Sequence, residues 1–394
     1  MKPRSAYRLD VCFELSSGHG VRALLWCMAL LWSVHPLAAR SQDAIAKEGR
    51  FTCDERGRII GWTYYGRAGL RQSAPPNVSD LVSVEISYGT VLTEEDVAFL
   101  STLESVKQLS FGGNLSDEYV VIQGSTSPLS KLKQLESLFL CKRDMCDRDL
   151  EFLAELPNLQ ALEFLSGPNP WNQEGPSVTD ACAESIRRAT SLRWLVIDGD
   201  ANLSDRFIDG ITQDLKDLES LDMNSELMTD LALQWIAERC GNLRSLDLWS
   251  KHFTDQGVAS LVAAKKLEEI WLECPLLTHA SVSSLANMTQ LRRLLITAPT
   301  ITDEVVQKVA KLHQLEILCL RDTPMSDEQF AMFANHPTLE SIFVQGRNLS
   351  TEKVMQVIAT MPKLDHLDLG TTKQAQRDVQ RFLANRKAAR GTRK

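Results

Sequence analysis

The chain is poor in the residues that usually carry chemistry. Its seven histidines are scattered, with His19 and His35 near the N-terminus and His252, His279, His313, His336 and His366 each alone in a repeat. That dispersal argues against a histidine-ligated metal or a catalytic histidine pair. Beyond residue 39 seven cysteines remain, Cys53, Cys141, Cys146, Cys182, Cys240, Cys274 and Cys319. They are odd in number and lack CxxC pairing, so neither a disulfide framework nor a zinc site is indicated. P-loop, GxSxG, HExxH and GxGxxG motifs are absent as well. The sequence therefore predicts no catalytic residue, no metal and no cofactor, and a protein that is not an enzyme.

Positive charge is also short, at 43 Lys and Arg against 51 Asp and Glu. Residues 40–372 alone hold 31 basic and 48 acidic residues, net −17. A body this acidic is poorly suited to nucleic acid, whose affinity rests on neutralising phosphates. The tail from Lys373 carries eight basic residues against Asp378 alone, and such ends are commonly just solvated.

A long apolar run is missing too. Ala23 to Val34 spans twelve residues, short of the roughly 20 needed to cross a bilayer. It follows Arg22 and precedes Pro36, Ala38 and Ala39, the shape of a secretory signal over residues 1–39. An uncleaved anchor, lengthened by Val21 and by Leu37 to Ala39, is the alternative, and a membrane is a partner only in that case. Either reading places the mature chain outside the cell, in a periplasm or at the cell surface.

What is abundant is a repeat. The pattern L-x-x-L-x-L appears as LESLDM from Leu218, LRSLDL from Leu243, LEEIWL from Leu267, LRRLLI from Leu291, LEILCL from Leu315, LESIFV from Leu339 and LDHLDL from Leu364. Upstream copies start at Leu81, Val106, Leu135, Leu159 and Leu192. The fourth position falls at 84, 109, 138, 162, 195, 221, 246, 270, 294, 318, 342 and 367, a register held twelve times. Each alternating L-x-L reads as a short strand with one buried face. An apolar residue, then Ser or Thr, then Asp follows five residues later, as at Met228-Thr229-Asp230, Phe253-Thr254-Asp255, Ile301-Thr302-Asp303 and Met325-Ser326-Asp327. The hydroxyl residue suits a helix N-cap, and the Asp suits the positive end of the helix dipole. Apolar spacing over segments such as Glu304 to Leu315 predicts a helix behind each strand. A single unit cannot bury both faces alone, so the units must stack.

These residues resemble the leucine-rich repeat family, in the bacterial exported and ribonuclease-inhibitor-like branch whose units read LxxLxLxxTxITDxxLxxLxxLxx. The resemblance covers Leu81 to about Thr372. It implies an α/β horseshoe-shaped solenoid of about twelve strand-helix units, with a concave parallel sheet and convex helices. It also implies recognition on the concave sheet, with ligands that differ from member to member. The chain departs from the family three residues after the last strand leucine. Where Asn, Cys or Thr is usual, it has Glu226, Lys251, Pro275, Pro299 and Arg347, with Thr only at Thr323 and Thr372. An incomplete internal hydrogen-bond ladder is expected there.

Residues 40–80 read as an N-terminal cap, with a turn at Asp54 to Gly57 and a strand at IIGWTY, residues 81–372 as the solenoid, and residues 373–394 as a capping helix and basic tail. The Pro- and Gly-rich stretch from Ser166 to Ser177, around Trp171, and an extension over Val121 to Lys131 read as surface loops. Sequons occur at Asn77, Asn114, Asn202, Asn287 and Asn348. Three of them are Asn-Leu-Ser at the strand-to-helix turn, where the repeat itself generates the triplet.

The pleat locates the candidate site. In L-x-L the leucines point inward, so the middle residues face the concave side. These are Glu85, Ser110, Phe139, Glu163, Val196, Asp222, Asp247, Trp271, Leu295, Cys319, Phe343 and Asp368. Apolar residues hold six of these twelve places, although an exposed face should be polar. Flanking positions add Trp194, Asp198, Asn224, Trp249, Glu273 and Arg321. The predicted ligand-binding set is therefore Trp194, Asp198, Asp222, Asn224, Asp247, Trp249, Trp271, Glu273, Leu295, Arg321 and Phe343, aromatics ringed by charge. The expected partner is a protein, a peptide or a glycan. The competing reading is an intracellular adaptor that presents substrates, disfavoured because no separate helical partner-binding domain precedes the repeats.

Overall fold

A computed structural model describes residues 49–66, 69–112, 119–165, 178–199, 202–346, 349–370 and 373–391. The leader, the 166–177 insertion with Trp171, the sequons at Asn114 and Asn348, and Arg347 and Thr372 lie outside the described residues. The chain divides into two compact units, Met1–Leu203 with Gln213–Leu218, and Ser204–Thr212 with Glu219–Lys394. Both are stacks of leucine-rich strand-and-helix repeats.

The strands of the first unit are β1 (Gly49–Cys53), β2 (Ile59–Tyr64), β3 (Ser83–Ile86), β4 (Val91–Leu92), β5 (Gln108–Phe111), β6 (Val121–Ile122), β7 (Ser137–Leu140), β8 (Ala161–Leu165) and β9 (Trp194–Asp198). Seven of them form one sheet in the order β1-β2-β3-β5-β7-β8-β9, antiparallel only between β1 and β2. β4 and β6 pair in parallel as a separate ladder. The stretch from Val121 to Lys131, expected as a plain loop, thus holds a strand, and its Ser127–Lys131 segment is a 3-10 turn that buries Leu129.

The second unit holds β10 (Ser220–Asn224), β11 (Ser245–Trp249), β12 (Glu269–Glu273), β13 (Arg293–Thr297), β14 (Ile317–Met325), β15 (Ser341–Gly346) and β16 (His366–Asp368). All are parallel neighbours in sequence order. All twelve predicted L-x-L segments fall in strands, the last of which ends one residue short of Leu369, and residues such as Leu221, Leu246, Leu294 and Leu318 are at most 1% exposed. Fully burying one such leucine is worth roughly 1.5–3 kcal/mol, so the repeated register is itself the core.

The helices are α1 (Leu70–Ser73), α2 (Glu94–Leu100), α3 (Ala183–Ile186), α4 (Asp205–Thr212), α5 (Asp230–Arg239), α6 (Asp255–Ser260), α7 (His279–Leu285), α8 (Asp303–Val309), α9 (Asp327–Ala331), α10 (Thr351–Ala359) and α11 (Lys373–Gly391). Each strand from β10 to β15 is followed by an α-helix. In the first unit the expectation of a helix behind every strand holds only in part. The segment after β7, Asp147–Glu155, is a 3-10 helix, as is the short turn after β6. Pro128 stands in the first turn of that segment, where its missing N–H is no loss.

The Ser or Thr before each Asp caps its helix as the sequence predicts. Thr229, Thr254 and Thr278 accept from the backbone N–H two residues on, and Ser326 forms a reciprocal capping box with Gln329. The Asp has a second task that single-unit reasoning does not show. The carboxylate of Asp205 accepts from both the N–H and the Oγ1 of Thr229, one repeat later, at 2.8 and 2.7 Å. Asp230 does the same for Thr254, Asp255 for Thr278, and in the first unit Asp147 for Thr179. A caps-and-carboxylates ladder thus links adjacent repeats.

The inner ladder also differs from expectation. Glu226, Lys251, Pro275 and Pro299 are exposed, and the buried place is one residue earlier, at Ser225, Ser250, Cys274 and Ala298. Ser250 Oγ donates to Met228 O at 2.6 Å and accepts from His252 N at 3.2 Å. Thr323 Oγ1 donates to Ala298 O and to Arg321 O. Ser225 and Ser250 put hydroxyls at this buried place, and Cys274 and Ala298 mark where the ladder thins.

α11 packs on the last strand. Val379 and Leu383 are buried, Gln376 and Gln380 donate to Leu367 O at 2.6 and 3.0 Å, and Arg386 donates to Ile358 O, Met361 O and Leu364 O. Phe382 is half-exposed and lies 5.8 Å from the Arg386 guanidinium. No helix among the described residues is long and apolar enough to cross a membrane.

Candidate functional site

Parallel pairing, in register apart from a shift between Leu320 and Pro324 on β14, turns the sheet of the second unit into a grid. Along one row the register runs Asp222, Asp247, Trp271, Leu295, Cys319, Phe343 and Asp368. Two residues earlier the row is Ser220, Ser245, Glu269, Arg293, Ile317, Ser341 and His366, and two residues later it is Asn224, Trp249 and Glu273 on β10 to β12, with Thr297 and Arg321 following on β13 and β14. Alternation places all three rows on the face away from the leucine core.

Nine of the eleven predicted residues belong to this unit. Asp222, Asn224, Asp247, Trp249, Trp271, Glu273, Arg321 and Phe343 are half-exposed on the grid. Leu295 is a correction, because it is 6% exposed, as is Cys319 beside it. Both lie in the row between Trp271 and Phe343. Trp194 and Asp198 belong to the first unit, on β9, the first half-exposed and the second exposed.

Three of the grid residues interlock. Trp271 Nε1 donates to Glu273 Oε1 at 3.1 Å, and Arg321 Nη1 lies 2.7 Å from Glu273 Oε2. The indole therefore has a fixed orientation along the sheet face. A second pair, Arg293 Nη1 with Glu269 Oε1 at 3.1 Å, occupies the next row, and burial pushes the Glu269 carboxyl up against the pull of Arg293. Farther along, the Phe343 and His366 rings lie 4.9 Å apart.

In the first unit the corresponding row is Glu85, Ser110, Phe139, Glu163 and Val196. The residue sequence reasoning missed is Tyr88. Burial raises its phenol well above the ordinary value, reinforced by Cys141, Glu163, Glu85 and Asp198. Gly112 at φ +105° leaves room for it, since a Cβ there would lie 2.6 Å from the Tyr88 ring. A glycine following Phe111, with its tolerance of positive φ, was the one available signal.

Nothing on these faces resembles a nucleophile in waiting. Burial pushes the Cys141, Cys274 and Cys319 thiols up to about 12, which keeps them protonated. The seven described cysteines are unbridged, and no group of three His, Cys, Asp or Glu among the described residues is arranged to hold a metal. A shallow cavity of about 430 Å³ opens beside the start of α5, lined by Leu227, Thr229, Asp230, Leu231, Gln234 and His252. None of these is a residue of the grid.

No family model matches this chain, and no curated protein matches it. Solved structures with a similar arrangement include an internalin of Listeria monocytogenes, 17% identical over 80% of this chain and 91% of that one, with a TM-score of 0.49. A chain of the yeast Rad7 and Elc1 complex is 16% identical over 71% of this chain and 72% of its own, also at 0.49. Internalin C2 of Listeria monocytogenes is 18% identical over 61% of this chain and 80% of its own, at 0.33.

Proposed function

We propose that this chain is an exported, non-catalytic recognition scaffold that binds a protein, peptide or glycan partner on the exposed sheet face of its second unit. The observation that carries the reading is Trp271, a half-exposed indole held in one orientation by Glu273, which Arg321 holds in turn. A large aromatic presented without rotamer freedom loses little entropy when a partner covers it. Trp249 and Phe343 enlarge the same face, and the leucine ladder below keeps it rigid. Export rests on the leader pattern from Arg22 to Ala39.

The test has two parts. N-terminal mass spectrometry of the mature protein should find cleavage near Ala39, and retention of residues before it would remove the export half. Affinity capture with the full chain should yield a partner whose binding is lost in Trp249→Ala and Trp271→Ala while the melting curve is kept. Capture that survives both changes would place the binding surface elsewhere.

A further inference from the structure

The turn that leads into β15 is held by a histidine that can do so only while it is neutral. Asn335, in the left-handed region at φ 63°, reverses the chain after α9, and its N–H donates to Thr360 Oγ1 of the next repeat at 2.8 Å. Thr338 Oγ1 donates the other way, to His313 O and Leu315 O of the preceding repeat, at 2.9 and 2.8 Å. Between these ties His336, 3% exposed, accepts from Leu339 N through Nδ1 at 3.2 Å and, less closely, from Thr338 N at 3.5 Å. Leu339 is fully buried, and the next two N–H groups, of Glu340 and Ser341, take up the sheet ladder on Glu316 O. The imidazole thus sets where the strand begins.

An Nδ1 that accepts carries no proton, so the ring's single proton sits on Nε2, which is buried and has no hydrogen-bond partner among the described residues. A second proton has one place to go. On Nδ1 it would point at the two backbone N–H groups that the ring now receives. The resulting charge would also be buried without a counter-ion. From the preceding repeat the ring meets His313, 6.2 Å away between centroids, whose own charge opposes another, and the Leu312 carbonyl, near enough to favour the charged form but not in hydrogen-bonding geometry. The following repeat meets this turn at Thr360, which does not titrate, and among the described residues no carboxylate, lysine or arginine acts on the ring.

We propose that His336 is a proton-operated latch: protonation at Nδ1 breaks its bonds to Thr338 and Leu339 and releases the 335–339 turn and the start of β15 while the rest of the second unit stays folded. Phe343, four residues beyond Leu339, lies on the sheet face assigned above to the partner, so the latch makes that binding acid-sensitive. This last step rests on the sheet-face reading, whereas the latch itself does not.

Amide hydrogen exchange of the full chain, corrected for the intrinsic exchange rate, tests the latch without any ligand. With the ring held from 6.5 down to about 4, protection at Thr338 and Leu339 should fall about twentyfold between about pH 7 and about pH 5, while the amides of β11 and β12 keep theirs. In His336→Asn, whose Oδ1 stands in for Nδ1 and cannot titrate, the fall should be under about twofold. An equal fall at every amide of the unit, no fall at Thr338 and Leu339, or a fall that survives His336→Asn and is abolished by His313→Asn would each overturn the proposal. Should His336→Asn fail to fold, the imidazole nitrogen shifts of the parent chain decide. Nδ1 free of a proton at about pH 7 and protonated in step with the loss of protection supports the latch, and Nδ1 already carrying a proton there overturns it. If the latch opens while capture of a partner that needs Trp271 is the same at about pH 5 as at about pH 7, the latch stands and only its link to the sheet face falls.

Discussion

Arg321 reaches Glu273 over an intervening strand: the two residues lie on β14 and β12, and Nη1 and Oε2 are 2.7 Å apart above Thr297 of β13. Both side chains are about one-quarter exposed, at 24% and 25%, so solvent screens the pair and its contribution to stability is small, under about 1 kcal/mol. Its consequence is positional. Glu273→Ala should leave the melting temperature nearly unchanged while freeing the Trp271 ring, seen as a narrowed and shifted resonance in fluorotryptophan NMR, assigned with Trp271→Phe. An unaltered resonance would show that packing, not Glu273, orients the indole.

Gly257 sits inside α6, where Ala normally stabilises a helix by about 1 kcal/mol. Here the expected sign is opposite. A Cβ at Gly257 would lie 2.1 Å from Asp230 Oδ1, the oxygen that accepts from Thr254 N. Gly257→Ala should therefore lower the urea midpoint, because the carboxylate must leave the ladder to make room. A raised midpoint would mean that Asp230 shifts without cost.

Asp230→Ala removes the acceptor of both the Thr254 N–H and its hydroxyl. The loss should be about 1–3 kcal/mol, since partly buried donors are left without the carboxylate. It should appear locally as faster amide exchange at Thr254 and over the first turn of α6. Uniform acceleration across the unit would instead indicate global destabilisation.

His336 is 3% exposed and accepts from Leu339 N through Nδ1 at 3.2 Å. Burial, with His313 6.2 Å away, lowers it from 6.5 to about 4. Between those values the unfolded chain binds a proton that the folded chain refuses. Stability is then fully present above about pH 6.5 and is lost as the pH falls through that window, by up to about 1.4 kcal/mol per pH unit from this group. His336→Gln should flatten the dependence of unfolding free energy on pH between 6.5 and 4. An unchanged slope would assign the acid sensitivity to the carboxylates.

We further propose that α11 acts as the C-terminal cap, because Gln376, Gln380 and Arg386 occupy backbone carbonyls that the last repeat would otherwise leave open. Arg386→Ala should lower the melting temperature, and deletion of 373–394 should add concentration-dependent aggregation. Deletion without either effect would make the helix dispensable.

The sequence by itself determined the strands of the L-x-L repeat, most of their register and the helix N-caps. Period-two leucines and a Thr-Asp pair act through nearest neighbours along the chain, and a register repeated from Val84 to Leu367 allows no alternative pairing that buries every leucine. It also located the sheet-face row, because alternation fixes which way a strand side chain points. What only the tertiary structure decided depends on contacts between units. That Asp205 serves Thr229, that the buried polar ladder runs through Ser225 and Ser250 and not Glu226 and Lys251, and that Tyr88 lies over Gly112 all join residues about 24 apart. Leu295 is the clearest case: alternation rightly turns it outward, between Trp271 on β12 and Cys319 on β14, yet it is 6% exposed, and a pattern read one strand at a time contains no information about the residues on the strands beside it.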